Sequence, residues 1–282
     1  MSLSLVKQII NWFLCKFGYK MVKIYQESNI ELYRSLYGED AVRNRLFYNL
    51  GSGSFSHPAW TNIDHASDWY AGRQGDKIDI NIDFTTLKPI PLQSDSALVL
   101  YTSHVVEHLD NITVQHLFNE AYRLLKKGGI FRITTPNIDL ELDAYKRSDR
   151  HYFETLFGDL AKKHSIEQMW RYRFASSVSS ITPKEGSSYK MSSDEAKKVF
   201  SSMKKEDALN YCIEKCSAEV QSRNPGNHIN WFDENKLRTM LGKAGFENIY
   251  LSAYGQSKSP VLRNTNYFDK RPEKSIYIET IK

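Results

Sequence analysis

The sequence predicts an α/β fold with a buried, largely parallel sheet, and three stretches carry that expectation. Leu46, Phe47, Tyr48 and Leu50 form an apolar run of the kind found in a fully buried strand, and the run ends in Gly51-Ser52-Gly53. A second run, Trp60 to Ile63, ends in Asp64. A third, Ala97-Leu98-Val99-Leu100-Tyr101, is followed by a helical pattern and then by Ile130 to Thr134. Strands that alternate with helical patterns build βαβ units and a parallel sheet.

With 282 residues, 41% of them hydrophobic and 25% charged, the chain can bury a full core, and one domain carrying an insertion is the expected organisation. Net charge is +5, of which residues 1–30 supply +3 through Lys7, Lys16, Lys20 and Lys23 against Glu27. The nearly balanced remainder argues against a nucleic-acid-binding face. Cys15, Cys212 and Cys216 form neither a zinc pattern nor an even disulfide framework, which fits a reducing cytoplasm.

Residues 3–17, LSLVKQIINWFLCKF, place Val6, Ile9, Ile10, Phe13 and Phe17 at helical spacing. The segment is too short to span a bilayer and lacks a small-residue cleavage site. Two readings stand: an amphipathic helix packed on this protein or a dimer mate, and an interfacial helix whose lysines face anionic lipid on the inner side of a membrane. Between the first two strands, Gly51 to Ala59 is too short for a crossover helix. One sheet face is therefore left bare, and the amino-terminal helix is the element expected to cover it.

The glycines at the end of the first strand let a ligand approach the backbone, because no Cβ intervenes. Asp64, at the end of the second, can accept hydrogen bonds from two ribose hydroxyls, which points to a nucleoside-containing cofactor. A dinucleotide fingerprint is excluded, since Ser56 stands where a third glycine belongs and Asp64 comes too early. No Gly-Lys-Ser/Thr follows, so a P-loop is excluded as well. Ile78 to Ile82 predicts a third strand, leading into Asp83-Phe84. Val114 to Lys126 predicts a helix closed by Lys127-Gly128-Gly129.

The segment from Phe47 to Asp64, together with the string EAYRLLKKGGIFRITTPN at 120–137, resembles the class I S-adenosylmethionine-dependent methyltransferases, type 11-like. The resemblance covers 45–140 well and 228–282 moderately. It implies a Rossmann-like sheet of seven strands, the sixth being Asn248 to Leu251 and the last, Ser275 to Ile281, antiparallel. It also implies S-adenosyl-L-methionine as cofactor, held by Asn49, Gly51, Ser52, Gly53, Asp64, Asp83, Phe84 and His104. Asn49 stands where the family usually carries an acid, so it keeps a hydrogen-bond acceptor and loses the charge. Asp83 would meet the adenine amino group with Phe84 under the ring; a plain strand-end turn acid is the competing reading. His104 would border the methionine end, with Glu107 and His108 fixing the turn.

His104-x-x-Glu107-His108 also matches the inverted zinc-protease motif, which would make a metal hydrolase. That chemistry needs one continuous helix, whereas His104 falls at a strand end, so no metal is expected. A methyltransferase-like binding module without turnover is the other alternative, favoured by the missing acid at Asn49. The expected organisation is an amino-terminal helical segment (1–40), a cofactor-binding core (41–140), a helical substrate-covering insertion (141–225) and the rest of the core (226–282). The insertion balances fifteen Lys/Arg against thirteen Asp/Glu and carries aromatics around Trp170, which suits a sugar face better than a phosphate backbone. With the H-x-x-W-F stretch at 228–232, the chain resembles methyltransferases of surface-glycan pathways, implying O-methylation of a sugar or other small or lipid-linked acceptor. A sugar hydroxyl must lose its proton as the methyl arrives, so a base is needed. His228, in a Pro-Gly-Asn-His turn, and His104 are the candidates; a capping or packing role is the competing reading for His228.

Overall fold

The computed structural model describes Lys16 and residues 29–66, 78–173, 191–214 and 226–282. The 3–17 segment, Lys16 apart, lies outside the described residues, as do Cys15, Cys216 and the Ser/Lys-rich stretch 174–190.

The apolar runs form β1 (Phe47–Leu50), β2 (Trp60–Asp64), β3 (Ile80–Asn81), β4 (Ala97–Ser103), β5 (Leu125–Pro136), β6 (Asn248–Leu251) and β7 (Ser275–Ile281). They make one seven-stranded sheet in the order β3-β2-β1-β4-β5-β7-β6. The first five strands run parallel, and β7 lies antiparallel between β5 and β6. The chain winds outward from β1 to β3, then restarts at β4 on the other side of β1. In open α/β sheets the crevice outside the strand ends at such a reversal is where ligands bind.

Alternation along the strands divides the core. Tyr48, Leu50, Ile63 and Leu100 face a cluster with α3 (Asn111–Leu124) and α10 (Glu234–Lys243), while Phe47, Trp60, Val99 and Tyr101 face the opposite side. On that opposite side the short Gly51–Ala59 crossover leaves no helix of its own. The described cover is α1 (Ile30–Tyr37), α2 (Glu39–Arg43) and the distant segment around Val261, Leu262 and Phe268. Tyr33 accepts a hydrogen bond from Trp60 Nε1 at 2.8 Å, and Tyr37 pairs with Ser259 at 2.8 Å. Among the described residues the cover comes from residues 30–43 and 261–268; the amino-terminal segment expected on this face lies outside the described residues.

Two boundaries differ from the sequence reading. β3 is cut to two residues; beside it the Asp79 amide donates to the Asn62 carbonyl at 2.9 Å, and the Asp79 carboxylate accepts from Arg45 and from the Asn62 amide. α3, capped by Asp110, ends at Leu124, since the Asp95 and Ser96 amides donate to the Arg123 and Leu124 carbonyls. Lys126 to Gly129 is instead a bulge within β5: Ala97 pairs with Leu125 but Val99 with Ile130, and Gly128, at φ +80°, donates to the Lys282 carbonyl.

The insertion folds into α4 (Ile138–Lys146), α5 (Arg150–Phe157), α6 (Asp159–Lys163), α7 (Ile166–Arg173), α8 (Ser193–Ser202) and α9 (Lys205–Glu214). These helices share their own apolar cluster, in which Trp170 stacks on Tyr145 at 5.2 Å and Cys212 is a buried packing residue. Lys205 joins them to the sheet by bonding Asp139 at 2.8 Å and Asp233 at 2.5 Å.

Arg132 on β5 is fully buried and forks onto Asp269, with bonds of 2.8 and 2.6 Å, and onto Glu279 at 2.7 Å. Arg132→Met leaves two carboxylates buried without their cation and is expected to cost about 3–5 kcal/mol, measured by urea unfolding. Lys236, in the first turn of α10, rests over Trp231 at 4.2 Å and Phe232 at 5.0 Å. Burial pushes its amine down to about 7, against the charge of Asp233, from an ordinary 10.5. Between those values the unfolded chain holds a proton that the folded protein has released, so stability should rise with pH across that window. Melting curves of Lys236→Met should lack that slope.

Candidate active site

Gly51 and Gly53 take φ of +75° and +52°, which turns the chain sharply at the carboxyl end of β1. A Cβ on Gly51 would stand 2.3 Å from Val105 Cγ2, whereas one on Gly53 would meet nothing within 4 Å. Gly51 is thus required for the approach of the β4 turn, whose Val105 stands where a Cβ would be. That contact sets the β1 loop against His104-Val105. Asp64 holds the loop from β2, with Oδ2 accepting the Gly53 amide at 2.6 Å and Oδ1 the His65 amide at 2.7 Å. Burial raises the Asp64 carboxyl above its ordinary value, and those two amides pull it part of the way back. Each carboxylate oxygen has two acceptor positions, so a ribose diol can still be bound. Ser52 Oγ is buried with no hydrogen-bond partner, and Asn49 is buried one turn of the strand earlier. An acid, an orphaned hydroxyl and two glycines around one strand end fit a nucleoside-bearing cofactor.

Asp83 follows β3 and caps the Phe84–Thr86 turn, its Oδ1 accepting from the Thr85 amide at 2.9 Å and Thr85 Oγ1 at 2.7 Å. Phe84 is half-buried against the main core. Both stand at the same sheet end as Asp64, joined through the Ile82 amide on the Asp64 carbonyl at 2.9 Å.

At the end of β4, His104 is a non-glycine residue at φ +56°. Its Nδ1 meets Glu107 Oε1 at 3.0 Å and its Nε2 meets Ser275 Oγ at 3.0 Å. Both ring nitrogens are engaged, so the imidazole is a poor proton acceptor for a substrate. Val106 to His108 forms a single 3-10 turn, so the zinc-protease spacing has no continuous helix to stand on. Glu107 is buried, and its Oε2 also accepts from Thr135 Oγ1 at 3.1 Å. Burial raises this carboxyl, but the hydrogen bond and charge of His104, with the charge of His108, bring it down to about 2. It stays ionised through the physiological range.

The Glu107 carbonyl accepts the Ile229 and Asn230 amides at 2.9 and 3.1 Å, and Asn230 Nδ2 donates to the Leu109 carbonyl at 2.9 Å. The 226–232 segment is thereby clamped to the β4 turn. His108 Nδ1 donates to the Asn227 carbonyl at 3.1 Å, and its ring stands edge-on to His228 at 4.8 Å. A small, partly open pocket lies beside them, lined by Glu107, Glu141, His228, Asn230, Trp231 and Phe232 among others. His228 and His104 thus meet around Glu107, with only His228 on the cavity wall. Glu141 went unnoticed in the sequence: a glutamate on a mixed helix face carries no local signal of being buried.

The family model described as "Methyltransferase domain" matches residues 43–251. No curated protein matches the chain. Among solved structures, a SAM-dependent methyltransferase from Archaeoglobus fulgidus is similar at 12% identity and TM-score 0.41, covering 91% of this chain and 95% of that one. A SAM-dependent methyltransferase from Thermotoga maritima is similar at 13% identity and TM-score 0.39, covering 98% and 99%. A protein from Bordetella parapertussis described as a "possible exported protein" is similar at 11% identity and TM-score 0.35, covering 84% of this chain and 61% of that one. The family match carries the assignment: the chain belongs to the methyltransferase domain family and is an enzyme of the S-adenosylmethionine-dependent class.

Proposed function

We propose that the enzyme O-methylates a sugar or another small or lipid-linked acceptor, held in the cavity beside Glu107. The observation that carries this reading is the cavity's composition: two aromatic faces, Trp231 and Phe232, with the carboxylates of Glu107 and Glu141 and the ring of His228. Aromatic faces suit the C–H faces of a sugar ring, and carboxylates accept its hydroxyls. The insertion supplies Glu141 from α4, in keeping with residues 141–225 as an acceptor cover. A lipid-linked acceptor would give the 3–17 segment a use as a peripheral anchor on the inner membrane face. Among the described residues no helix is long and apolar enough to cross a membrane.

When bound, the cofactor supplies a methyl group already activated on its sulfonium. Gly51, Ser52, Gly53 and Asp64 hold it, with Asn49, Asp83, Phe84 and His104 around them. The protein's remaining work is to align the acceptor and to promote loss of its hydroxyl proton. His228 is assigned that second task, because it faces the cavity while His104 is tied to Glu107 and Ser275.

Asp64→Ala should weaken S-adenosylmethionine binding by about 1.5–3 kcal/mol, the scale of hydrogen bonds to a charged group. Calorimetric titration measures it, and an unchanged dissociation constant in a folded variant removes Asp64 from the site. His228→Ala should keep that affinity and lose about 10²–10⁴ in transfer rate, assayed with labelled donor and fractionated glycan acceptors. Transfer at nearly the wild-type rate would leave His228 a structural residue.

A further inference from the structure

The turn after β4 and the 226–232 segment bring together three groups of the kinds that ligate metal ions. Glu107, His108 and His228 each offer one ligand atom, and these atoms lie within 4.8 Å of one another. We propose that Glu107, His108 and His228 form a binding site for one divalent transition-metal ion on the wall of the acceptor cavity.

The chemistry of the donor set supports this. Two imidazoles and a carboxylate make a borderline set suited to Zn²⁺ and its neighbours rather than to Mg²⁺ or Ca²⁺, which take oxygen ligands. Zn–N bonds are about 2.0–2.1 Å, so donors around such an ion stand about 3.4 Å apart. Modest rotation of two half-buried imidazole rings closes the difference from the observed spread. The surrounding bonds are those a metal site needs. His108 Nδ1 donates to the Asn227 carbonyl, which fixes the tautomer that turns Nε2 into a ligand. Glu107 is oriented by His104 and Thr135, and a carboxylate oxygen can accept a hydrogen bond and still coordinate. The Ile229 and Asn230 amides on the Glu107 carbonyl hold the two ligand-bearing segments in register. Three protein ligands leave a coordination position open, and Glu107 and His228 both line the cavity. His104, the residue that completes the zinc-protease spacing, is outside the cluster and positions Glu107 instead.

The site deepens the function proposed above, on whose acceptor it depends for a role. An acceptor hydroxyl on the open position would lose its proton more easily, with the proton released to solvent. His228 would then promote deprotonation as a ligand.

The test uses the full chain, stripped with a chelator and titrated separately with Zn²⁺ and Co²⁺. One equivalent should bind by calorimetry and elemental analysis, and the Co²⁺ form should show visible absorption bands of a nitrogen- and oxygen-ligated ion. His108→Ala and His228→Ala, each checked for fold by circular dichroism, should bind at least tenfold more weakly and lose the bands. His104→Ala should weaken binding by less than either of these variants, as expected of a residue that orients a ligand. Absence of a stoichiometric ion in the wild-type protein, or wild-type affinity in both His108→Ala and His228→Ala, overturns the proposal. S-adenosylmethionine affinity measured with and without metal separates this outcome from the methyltransferase reading, since loss of the metal site should leave donor binding in place.

Discussion

The arrangement of the site depends on one buried carboxylate. Glu107 carries a charge at a place almost closed to solvent, and such a charge is tolerable only while its hydrogen bonds are intact. His104 and Thr135 supply them from two different strands, and the Glu107 carbonyl binds two amides of the 226–232 segment. The turn after β4 therefore cannot relax without exposing a charge to an apolar interior. The same bonds hold His104 at a positive φ, a conformation that costs a non-glycine residue of order 1–3 kcal/mol when unsupported. Electrostatics here does the work usually left to packing, by fixing where the catalytic segments meet.

Much of this was legible in the sequence because it rests on local chemistry. Apolar runs placed β1, β2 and β4 to within two residues, the family resemblance placed β6 and β7, and the Gly51-Ser52-Gly53 turn announced itself by residue type. What escaped was set by distant partners. Beside the shortened β3 stands an Arg45–Asp79 pair that no spacing rule reveals. The bulge at Lys126 to Gly129 reads as a helix end until the last strand of the chain is laid beside it. The reason for Gly51 was visible only once Val105 stood against it. Glu107, His108 and His228 could each be noticed in sequence, but their meeting is a property of the fold.

The insertion shows how helices can be added beside a sheet without joining its core. Among the described residues they bury their own apolar faces together with Trp231, and Lys205 ties α9 to the amino terminus of α10 through Asp233. Ile138 and Glu141 of α4 reach the small pocket that Glu107 and His228 also line. Changes among the insertion's buried side chains can therefore be absorbed within its own cluster while the packing of the sheet stays as it is.

The short crossover between β1 and β2 has a consequence for how the protein is made. Without a helix of its own, the aromatic face around Phe47 and Trp60 is closed by Tyr33 and Tyr37 on one side and by Leu262 and Phe268 on the other. The Tyr37–Ser259 bond spans 222 positions. During synthesis that face cannot be sealed until residues 259–268 have left the ribosome. Contacts so far apart in the chain form late, and exposed aromatic surface in the meantime invites association with other nascent chains. A protein built this way should lean on chaperones during translation far more than its mature stability would suggest.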